Sequence, residues 1–264
     1  MAPSPKLRRT SVLKSCMGAA SRASWCFVGA CYALSAATAF GGVNFFTSPQ
    51  ISDGQSVGAF AALQPNGKVL VSGGAIRLNA DGSTDTSYSL ALSGPTPQVA
   101  EAAKVAPDGD IVVVDNSQRL VDCSSTGAFK QEIYSGISPT AFLVQGDGKI
   151  LIWTSNAITV QGVTRQGIAR INVDGTLDTS FDPGFGPNAQ IASVLLLSDG
   201  KIMVGGFFNT FDKVAVLGFV RLNSNGSVDQ TFSVTIQSAP ITEMAEMPNG
   251  QVAAWNAATR QLEL

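Results

Sequence analysis

The sequence contains no histidine and only four cysteines among its 264 residues. The absence of histidine excludes a Ser-His-Asp triad, a Cys-His dyad and any histidine-ligated metal site. Charged residues make up only 14% of the chain and the net charge is −2, which disfavours nucleic acid as a partner. The hydrophobic content of 45% is too high for a disordered chain. We predict no catalytic residue, no metal site, no cofactor and no nucleic-acid partner.

The first 39 residues have the order of segments that is typical of a secretory signal peptide. Five basic residues and no acidic residue precede an apolar run from Ala23 to Ala36. The small residues Ala37-Thr38-Ala39 follow as an A-x-A cleavage site. We therefore predict a signal peptide over residues 1–39 and a secreted, periplasmic or cell-envelope protein.

Three alternatives for this segment remain open. The uncharged run from Ala23 to Val43 has 21 residues, which is long enough for an uncleaved membrane anchor. Its many Ala, Gly and Ser residues weaken that alternative. The tetrapeptide Val28-Gly29-Ala30-Cys31 loosely resembles a lipoprotein box, and Arg8-Arg9 resembles a twin-arginine signal.

Cleavage would change both the charge and the cysteine content of the protein. It removes five of the 17 basic residues and none of the 19 acidic residues, so the net charge falls from −2 to −7. Only Cys123 remains, so we expect no internal disulfide despite an oxidising destination. The mature chain is predicted to be an acidic, soluble monomer with no membrane contact.

A turn motif followed by an apolar strand recurs five times, and we number the copies as repeats one to five. In repeat one it reads Gln64-Pro65-Asn66-Gly67-Lys68-Val69-Leu70-Val71. The copies span residues 64–71, 106–113, 145–152, 197–204 and 247–254. The turn glycines stand at positions 67, 109, 148, 200 and 250, with spacings of 42, 39, 52 and 50 residues. Such self-similarity is the signature of a repeat architecture.

A second motif, R-L-N-x-D-G-S-x-D-x-S-F, lies in phase with the first. It spans residues 77–88, 170–181 and 221–232 with few changes. A decayed copy begins at Arg119 in repeat two, and the copy in repeat five stops at Arg260-Gln261-Leu262. Asn-Gly and Asp-Gly supply the positive φ angles of tight two-residue hairpins, so each repeat is predicted to contain two hairpins and four short strands.

The strands are apolar at successive positions instead of alternating, as in Ile150-Leu151-Ile152. Because neighbouring side chains of a strand point to opposite faces, both faces of each sheet must be covered. Four-stranded units of this size that are covered on both faces are typical of β-propeller blades. The alternatives are a β-solenoid, which tight hairpins do not suit, and an incomplete propeller.

We predict that residues 40–264 form one domain, an all-β, five-bladed β-propeller of four-stranded antiparallel blades. The 225 residues of the mature chain give 45 per blade, which lies in the range for propellers. Repeat five lacks its last strand, and Val43-Asn44-Phe45-Phe46-Thr47 offers a substitute at the other end. Pairing this segment with the last blade would close the ring and protect the strand edges.

These motifs resemble the delta-60 repeat family of predicted bacterial β-propellers. The resemblance covers roughly residues 44–264 and is best in repeats three and four. Repeat two departs most, with Asp110 in place of Lys, Asp115-Asn116 in place of Gly-Gly, and Asp122-Cys123-Ser124 in place of the Asn-x-Asp-Gly turn. The resemblance implies a propeller of exported or cell-surface proteins, and it implies no established activity or binding residues.

The repeated polar residues have a functional and a structural interpretation. Asn79, Asp81 and Asp85, with their copies, place oxygen atoms around each turn as a calcium site would, but the distal Glu of an EF-hand is missing. We favour the interpretation that they cap their own turns. The repeated arginines, Arg77, Arg119, Arg170, Arg221 and Arg260, are expected to form one ion pair per repeat with a nearby Asp instead of an anion channel.

Candidate binding residues lie in the longer loops of repeats three and four. These loops are Asn156 to Gln166, Asp182 to Gln190 and Phe207 to Leu217. They combine aromatic side chains with carboxylates, amides and a lysine, which suits a glycan, peptide or protein ligand. The predicted ligand-binding residues are Asp182, Phe185, Asn209, Phe211, Asp212 and Lys213. The alternative is that these phenylalanines only close the edge of a blade.

The function predicted from the sequence is a non-catalytic binding or scaffold module, because the motifs indicate a fold but no reactive group can be recognised among the residues. One alternative is a glycoside hydrolase that uses two carboxylates, for which Asp182 and Asp212 are the candidate acids. The other is a calcium-stabilised adhesive or structural module.

Overall fold

The computed structural model describes residues 62–71, 74–94, 99–135, 141–233 and 240–263. All of them belong to the compact unit Ser48–Leu264, and their regular elements are β-strands. Within these ranges no helix has the length and apolar character needed to cross a membrane. The predicted signal peptide and the predicted closing strand Val43–Thr47 lie outside the described residues.

The strands follow the repeats along the chain. Repeat one contains β1 (Ala62–Leu63), β2 (Val69–Val71) and β3 (Ile76–Leu78). Repeat two contains β4 (Ala100–Val105), β5 (Ile111–Asp115), β6 (Leu120–Cys123) and β7 (Phe129–Tyr134). Repeat three contains β8 (Ala141–Val144), β9 (Ile150–Val160) and β10 (Val163–Ile171).

Repeat four contains an additional hairpin. Its strands are β11 (Ile191–Leu196), β12 (Ile202–Gly206), β13 (Thr210–Phe211), β14 (Val214–Ala215) and β15 (Phe219–Leu222). Repeat five contains β16 (Ile241–Glu246), β17 (Val252–Asn256) and β18 (Gln261–Glu263). Each repeat forms its own antiparallel sheet in which consecutive strands are neighbours, and β13–β14 is a separate ribbon inserted between β12 and β15.

The blades differ from the four-stranded prediction. Among the described residues, repeat two forms a four-stranded sheet, whereas the sheets of the other repeats have three strands. In repeats one, three and four the fourth strand is reduced to a single bridge, as between Ile171 and Leu177. The reason is local: Oδ1 of Asp178 accepts hydrogen bonds from the N–H and hydroxyl of Ser180. This Asx-turn reverses the chain where a strand was predicted.

The first-motif turns are three-residue loops and not the predicted two-residue hairpins. In repeat one Gly67 N–H donates to the carbonyl of Gln64, and Gln64 N–H donates to the carbonyl of Lys68. Only the glycine has positive φ, at 81°, which is the pattern of a type I turn followed by a bulge. The corresponding glycines of the other four repeats have φ between 80° and 92°.

The hydrophobic core consists of clusters that each join two consecutive repeats. Ile150 and Ile152 pack in a cluster with Val112 and Val114 of repeat two. Leu151, which lies between them in β9, packs instead in the cluster that includes residues of repeat four. Two further clusters join repeats one and two and repeats four and five. The prediction that these sheets are covered on both faces is therefore confirmed for repeat three.

One predicted loop is a pair of strands. Residues 156–166 of repeat three continue β9 and β10 into a long hairpin that turns at Gln161-Gly162. Ile158 and Val160 are buried there in the cluster shared with repeat two. The polar Thr159 between the apolar Ile158 and Val160 is the short alternation that signals this strand.

Candidate functional site

Three repeats contain the same charged triad. In repeat three the Oδ2 atom of Asp178 lies 2.8 Å from Nζ of Lys149 and 2.7 Å from Nε of Arg170. The equivalent triads are Lys68–Asp85–Arg77 in repeat one and Lys201–Asp229–Arg221 in repeat four. The lysine comes from the first motif and the other two residues from the second, so the triad ties the two motifs of a repeat together. The prediction of one arginine–aspartate pair per repeat is confirmed in these three repeats and in repeat two, where Arg119 pairs with Asp115.

Hydrogen bonds hold the central carboxyl groups ionised. Burial raises the pKa of Asp178, but hydrogen bonds from Lys149, Ser180 and Arg170 outweigh it and leave this pKa well below the ordinary value of 3.8. A hydrogen bond from Lys68 is the main cause that lowers the pKa of Asp85, and a hydrogen bond from Ser87 is the next. For Asp229 the corresponding hydrogen bonds come from Lys201 and Thr231. These fully engaged groups serve the fold and have no free oxygen to offer a substrate.

The Asx-Gly turns use their own polar atoms. Oδ1 of Asp81 accepts hydrogen bonds from the backbone N–H and the hydroxyl of Ser83, and Nδ2 of Asn79 donates to the same hydroxyl. Repeats three and four contain the same contacts. These contacts confirm the prediction that the polar residues cap their own turns.

Repeat two follows a different register from the one inferred from its sequence. Strand pairing places Val112 opposite Asp122, as it places Leu70 opposite Arg77 in repeat one. Asp122, and not Arg119, is therefore the structural equivalent of the repeated arginine. Arg119 instead pairs with Asp115 of the preceding strand at 2.7 Å. The sequence motif pointed to Arg119 because this arginine lies three residues before Asp122, the equivalent position.

The one cysteine of the described residues is inaccessible. Cys123 is buried in the cluster between repeats one and two. Burial is the main cause that raises the pKa of its thiol to about 11. A protonated, buried thiol has a structural role and no nucleophilic one.

The loops of repeats three and four contact each other. Pro187 forms an isolated bridge with Phe211, and Nδ2 of Asn188 donates to Oδ1 of Asn209 at 2.7 Å. Oδ1 of Asn188 in turn accepts from the backbone N–H of Asn209 and of Thr210. The Asp182–Gln190 loop and the β13–β14 ribbon thus form one surface. We call it the loop surface.

The predicted binding residue Phe211 does not face the loop surface. Its side chain is fully buried in the cluster shared by repeats three and four, where it makes an edge-to-face contact with Phe208. The strand alternation of the β13–β14 ribbon turns Phe211 inward, and its neighbours face solvent. The alternative that phenylalanines close the blade holds for these two residues and for Phe181, which is also fully buried.

Phe185 and Lys213 form the exposed centre of the loop surface. The ring of Phe185 is 64% exposed, and Nζ of Lys213 lies 3.5 Å from its centroid in a cation–π contact. Oδ1 of Asp212 accepts a hydrogen bond from the N–H of Phe185 at 2.9 Å. A Cβ atom at Gly184 would lie 2.1 Å from the same oxygen, so this close approach requires glycine. The arrangement presents a flat apolar ring, a cation and a carboxylate at fixed positions.

The turn that carries Lys213 is strained. Asp212 has a φ of 46° and Lys213 a φ of 65°, and both lie in the left-handed region at the tip of the two-residue hairpin. Such turns strongly favour Asn-Gly because non-glycine residues with positive φ cost free energy. The chain therefore retains two unfavourable residues where their side chains contact Phe185, and strain of this kind concentrates at functional sites.

The candidate carboxylates of a hydrolase differ in their surroundings. Oδ1 of Asp182 accepts from the N–H of Gly184, and Nε of Arg165 lies 3.8 Å from the same atom. The Asp182 side chain is 61% exposed. Asp212 is held by the Phe185 N–H. Both carboxylates thus act as acceptors that shape the 182–185 turn.

Other members of the loop surface were not singled out from the sequence. Asn188 orders the ribbon through three hydrogen bonds. Phe207 and Leu217 are each 53% exposed and flank the Gly206–Gly218 hydrogen bond. The sequence does not show that Phe207 is exposed, because exposed and buried phenylalanines follow one another closely in this stretch. An open depression of about 380 Å³ lies beside them and is lined by residues 209, 210 and 215–217.

The comparisons with known proteins concern the fold. A family model described as a domain of unknown function (DUF5122) beta-propeller matches residues 64–88, 145–181 and 197–232. These segments fall in repeats one, three and four, the repeats that contain the charged triad. No curated protein matches the sequence.

Solved structures, among them a WD40 β-propeller domain, are similar to the chain at low sequence identity. The WD40 beta propeller domain of Doa1 matches with a TM-score of 0.50 and 15% identity over 74% of this chain and 58% of that one. The extracellular domain of BT3049 from B. thetaiotaomicron, described as a hybrid two component system, gives a TM-score of 0.51 and 16% identity over 81% of this chain and 27% of that one. This chain thus spans between a quarter and two thirds of the length of these structures. The family match and these likenesses support a β-propeller fold for this all-β chain.

Proposed function

We propose that this protein is an exported, non-catalytic β-propeller module that binds a glycan, peptide or protein through the loop surface of repeats three and four. We propose that the chain is a member of the delta-60 repeat family and that it forms five blades. We also propose that the signal peptide is cleaved after Ala39 and that residues 43–47 pair with the last blade to close the ring. Support for export comes from the order of segments in residues 1–39. A monomer without a cofactor belongs to the same proposal.

The observation that carries the binding proposal is the contact of Lys213 with Phe185 on a strained turn. A turn selected for stability alone would be Asn-Gly, with no cation and no carboxylate. The ring of Phe185 offers the apolar surface on which a sugar face or a peptide side chain packs. Lys213 and Asp212 place a donor and an acceptor at its edge, so a ligand with both polar and flat apolar parts fits best.

The turn provides a test that separates binding from stability. The double substitution Asp212→Asn and Lys213→Gly creates the preferred turn sequence and keeps an acceptor for the Phe185 N–H. We expect the free energy of unfolding to stay unchanged or to rise by up to about 1 kcal/mol, because relief of strain offsets the lost cation–π contact. We expect binding to fall at least tenfold on glycan and peptide arrays.

The long hairpin of repeat three supplies the matched control. Gln161, with φ 51°, precedes Gly162, with φ 81°, so Gln161→Asn makes the same type of turn away from Phe185. This variant should bind as the parent protein does. Array binding that survives the Asp212→Asn, Lys213→Gly change would contradict the proposal. Release of free sugar from a polysaccharide, abolished in Asp182→Asn, would establish the hydrolase alternative instead.

A further inference from the structure

Repeat two contains the charged triad with every charge reversed. Asp122 occupies the arginine position and Asp110 the position of the lysine that follows the turn glycine. Eight residues after Asp122, where repeat one has an aspartate, repeat two has Lys130. Nζ of Lys130 lies 2.5 Å from Oδ2 of Asp110 and 3.0 Å from Oδ2 of Asp122. The geometry of the triad is thus preserved with one cation and two anions.

The arginine of the ordinary triad also reaches the next repeat. Nη1 of Arg77 donates to the backbone carbonyl of Ser125 at 2.6 Å, and Nη1 of Arg170 donates to that of Ser224 at 2.7 Å. Both acceptors are the second residue of the Asx-Gly turn in the following repeat. A guanidinium group therefore fills the junctions between repeats one and two and between repeats three and four.

In repeat two the hydrogen bond to the next repeat comes instead from Nε2 of Gln131, which donates to the backbone carbonyl of Val173 at 3.1 Å, and no guanidinium group stands at the arginine position. Asp122 is shorter than arginine by several atoms, and Ala106 stands where repeat one has Gln64. A cavity of about 250 Å³ lies at this junction. Its lining includes Ala106, Asp108, Asp122, Lys130, Asp147 and Val173. Val173 is the second residue of the turn in repeat three and thus the equivalent of Ser125 and Ser224.

The chemistry of the cavity calls for a cation with N–H donors. Asp122 is only 3% exposed, and the one partner of its Oδ2 atom among the described residues is the Lys130 ammonium at 3.0 Å, an ion pair that lacks good hydrogen-bond geometry. Burial is the main cause that raises the pKa of Asp122. The lining carries four carboxyl groups, from Asp108, Asp110, Asp122 and Asp147, against the single ammonium group. A buried carboxylate whose hydrogen-bonding capacity is unmet favours a bidentate cationic partner.

We propose that this cavity binds a guanidinium group supplied by a ligand, in the place that an arginine side chain fills in repeats one and three. The guanidinium fork donates to Asp122 from within the cavity and lies near the Val173 carbonyl, which already accepts a hydrogen bond from Gln131. The source of the group is either a small guanidinium compound or the arginine side chain of a peptide. This site is separate from the loop surface and does not depend on it.

Titration with ethylguanidinium chloride tests the proposal on the full mature chain. Backbone amide signals of Gly148 and Val173 are followed by NMR at constant ionic strength. We expect saturable shifts with a dissociation constant of about 10 mM or lower, and no such shifts with tetramethylammonium, which has the charge but lacks N–H donors. Failure of the wild-type signals to saturate would overturn the proposal.

Restoring the ordinary triad supplies the decisive variant. The triple change Asp110→Lys, Asp122→Arg and Lys130→Asp fills the cavity with a guanidinium group of the protein itself. We expect a folded protein whose affinity for ethylguanidinium is at least tenfold lower. The single change Asp122→Asn, which keeps the shape and removes the charge, should weaken binding at least fivefold. Unaltered affinity in these variants would refute the site.

The two sources of the guanidinium group give different results in the same titration. N-acetyl-arginine methylamide mimics an arginine within a peptide chain. Binding at least tenfold tighter than that of ethylguanidinium would identify a peptide arginine, and equal or weaker binding would identify a small molecule. Either result supports the site, provided that the triple variant removes it.

Discussion

The substitution Phe181→Ala is expected to lower the free energy of unfolding by about 3–5 kcal/mol, the usual cost of emptying a buried aromatic site. Phe181 is fully buried in the cluster shared by repeats three and four, where it packs among the side chains of Leu151 and Ile202. The guanidinium carbon of Arg170 lies 5.0 Å from the ring centroid, so the substitution also removes a cation–π contact. Urea denaturation monitored by tryptophan fluorescence measures the change.

Phe185 is the matched control, because it lies four residues further along the same loop and is 64% exposed. We expect Phe185→Ala to change the free energy of unfolding by less than about 0.5 kcal/mol, since surface truncations leave no cavity. We expect Phe185→Ala to lose ligand binding, whereas Phe181→Ala should lower the free energy of unfolding. Equal destabilisation by the two substitutions would contradict the assignment of one ring to the core and the other to the loop surface.

The substitution Asp178→Asn is expected to lower the free energy of unfolding by about 2–3 kcal/mol at neutral pH. The amide keeps an acceptor for Ser180, but it leaves the buried guanidinium of Arg170 and the Lys149 ammonium without their counter-ion. Removal of one partner from a buried ion pair costs more than the pair itself contributes. The control is Asp174→Asn, because Asn225 already occupies the equivalent turn position in repeat four.

The effect of Asp178→Asn should depend on pH. The pKa of Asp178 is lowered in the folded state, so its ionised form stabilises the protein above the unfolded pKa of about 4, and this contribution is lost as the pH falls toward the folded pKa. The difference between the parent protein and Asp178→Asn should therefore narrow as the pH falls from about 5 to about 2. A difference that is independent of pH over this range would show that the carboxylate is not the group responsible.

Local patterns in the sequence are sufficient to predict the repeats and the coverage of repeat three on both faces. Successive apolar residues such as Ile150-Leu151-Ile152 have a single physical explanation, because alternate side chains point to opposite faces. The arginine–aspartate pairs and the capped turns also follow from short spacings, in which each side chain has few partners within reach.

The remaining features depend on contacts that no short window contains. The inward rotation of Phe211 is set by the β13–β14 ribbon, whose strained turn has no Asn-Gly signal. The charge-reversed triad of repeat two was hidden by Arg119, which imitates the motif at the wrong register. Counting backwards from the turn glycine Gly127, which is the equivalent of Gly82, would have placed Asp122 correctly.

The sheets of repeats two, three and four are each packed between their two neighbours in sequence. Methyl NOE spectroscopy tests this packing most directly, with selective labelling of isoleucine, leucine and valine. We predict cross-peaks from Ile150 and Ile152 to the valines of repeat two, and from Leu151 to Ile202 or Val204 of repeat four. Cross-peaks from Leu151 and Ile152 to the same neighbouring repeat would contradict the packing described here.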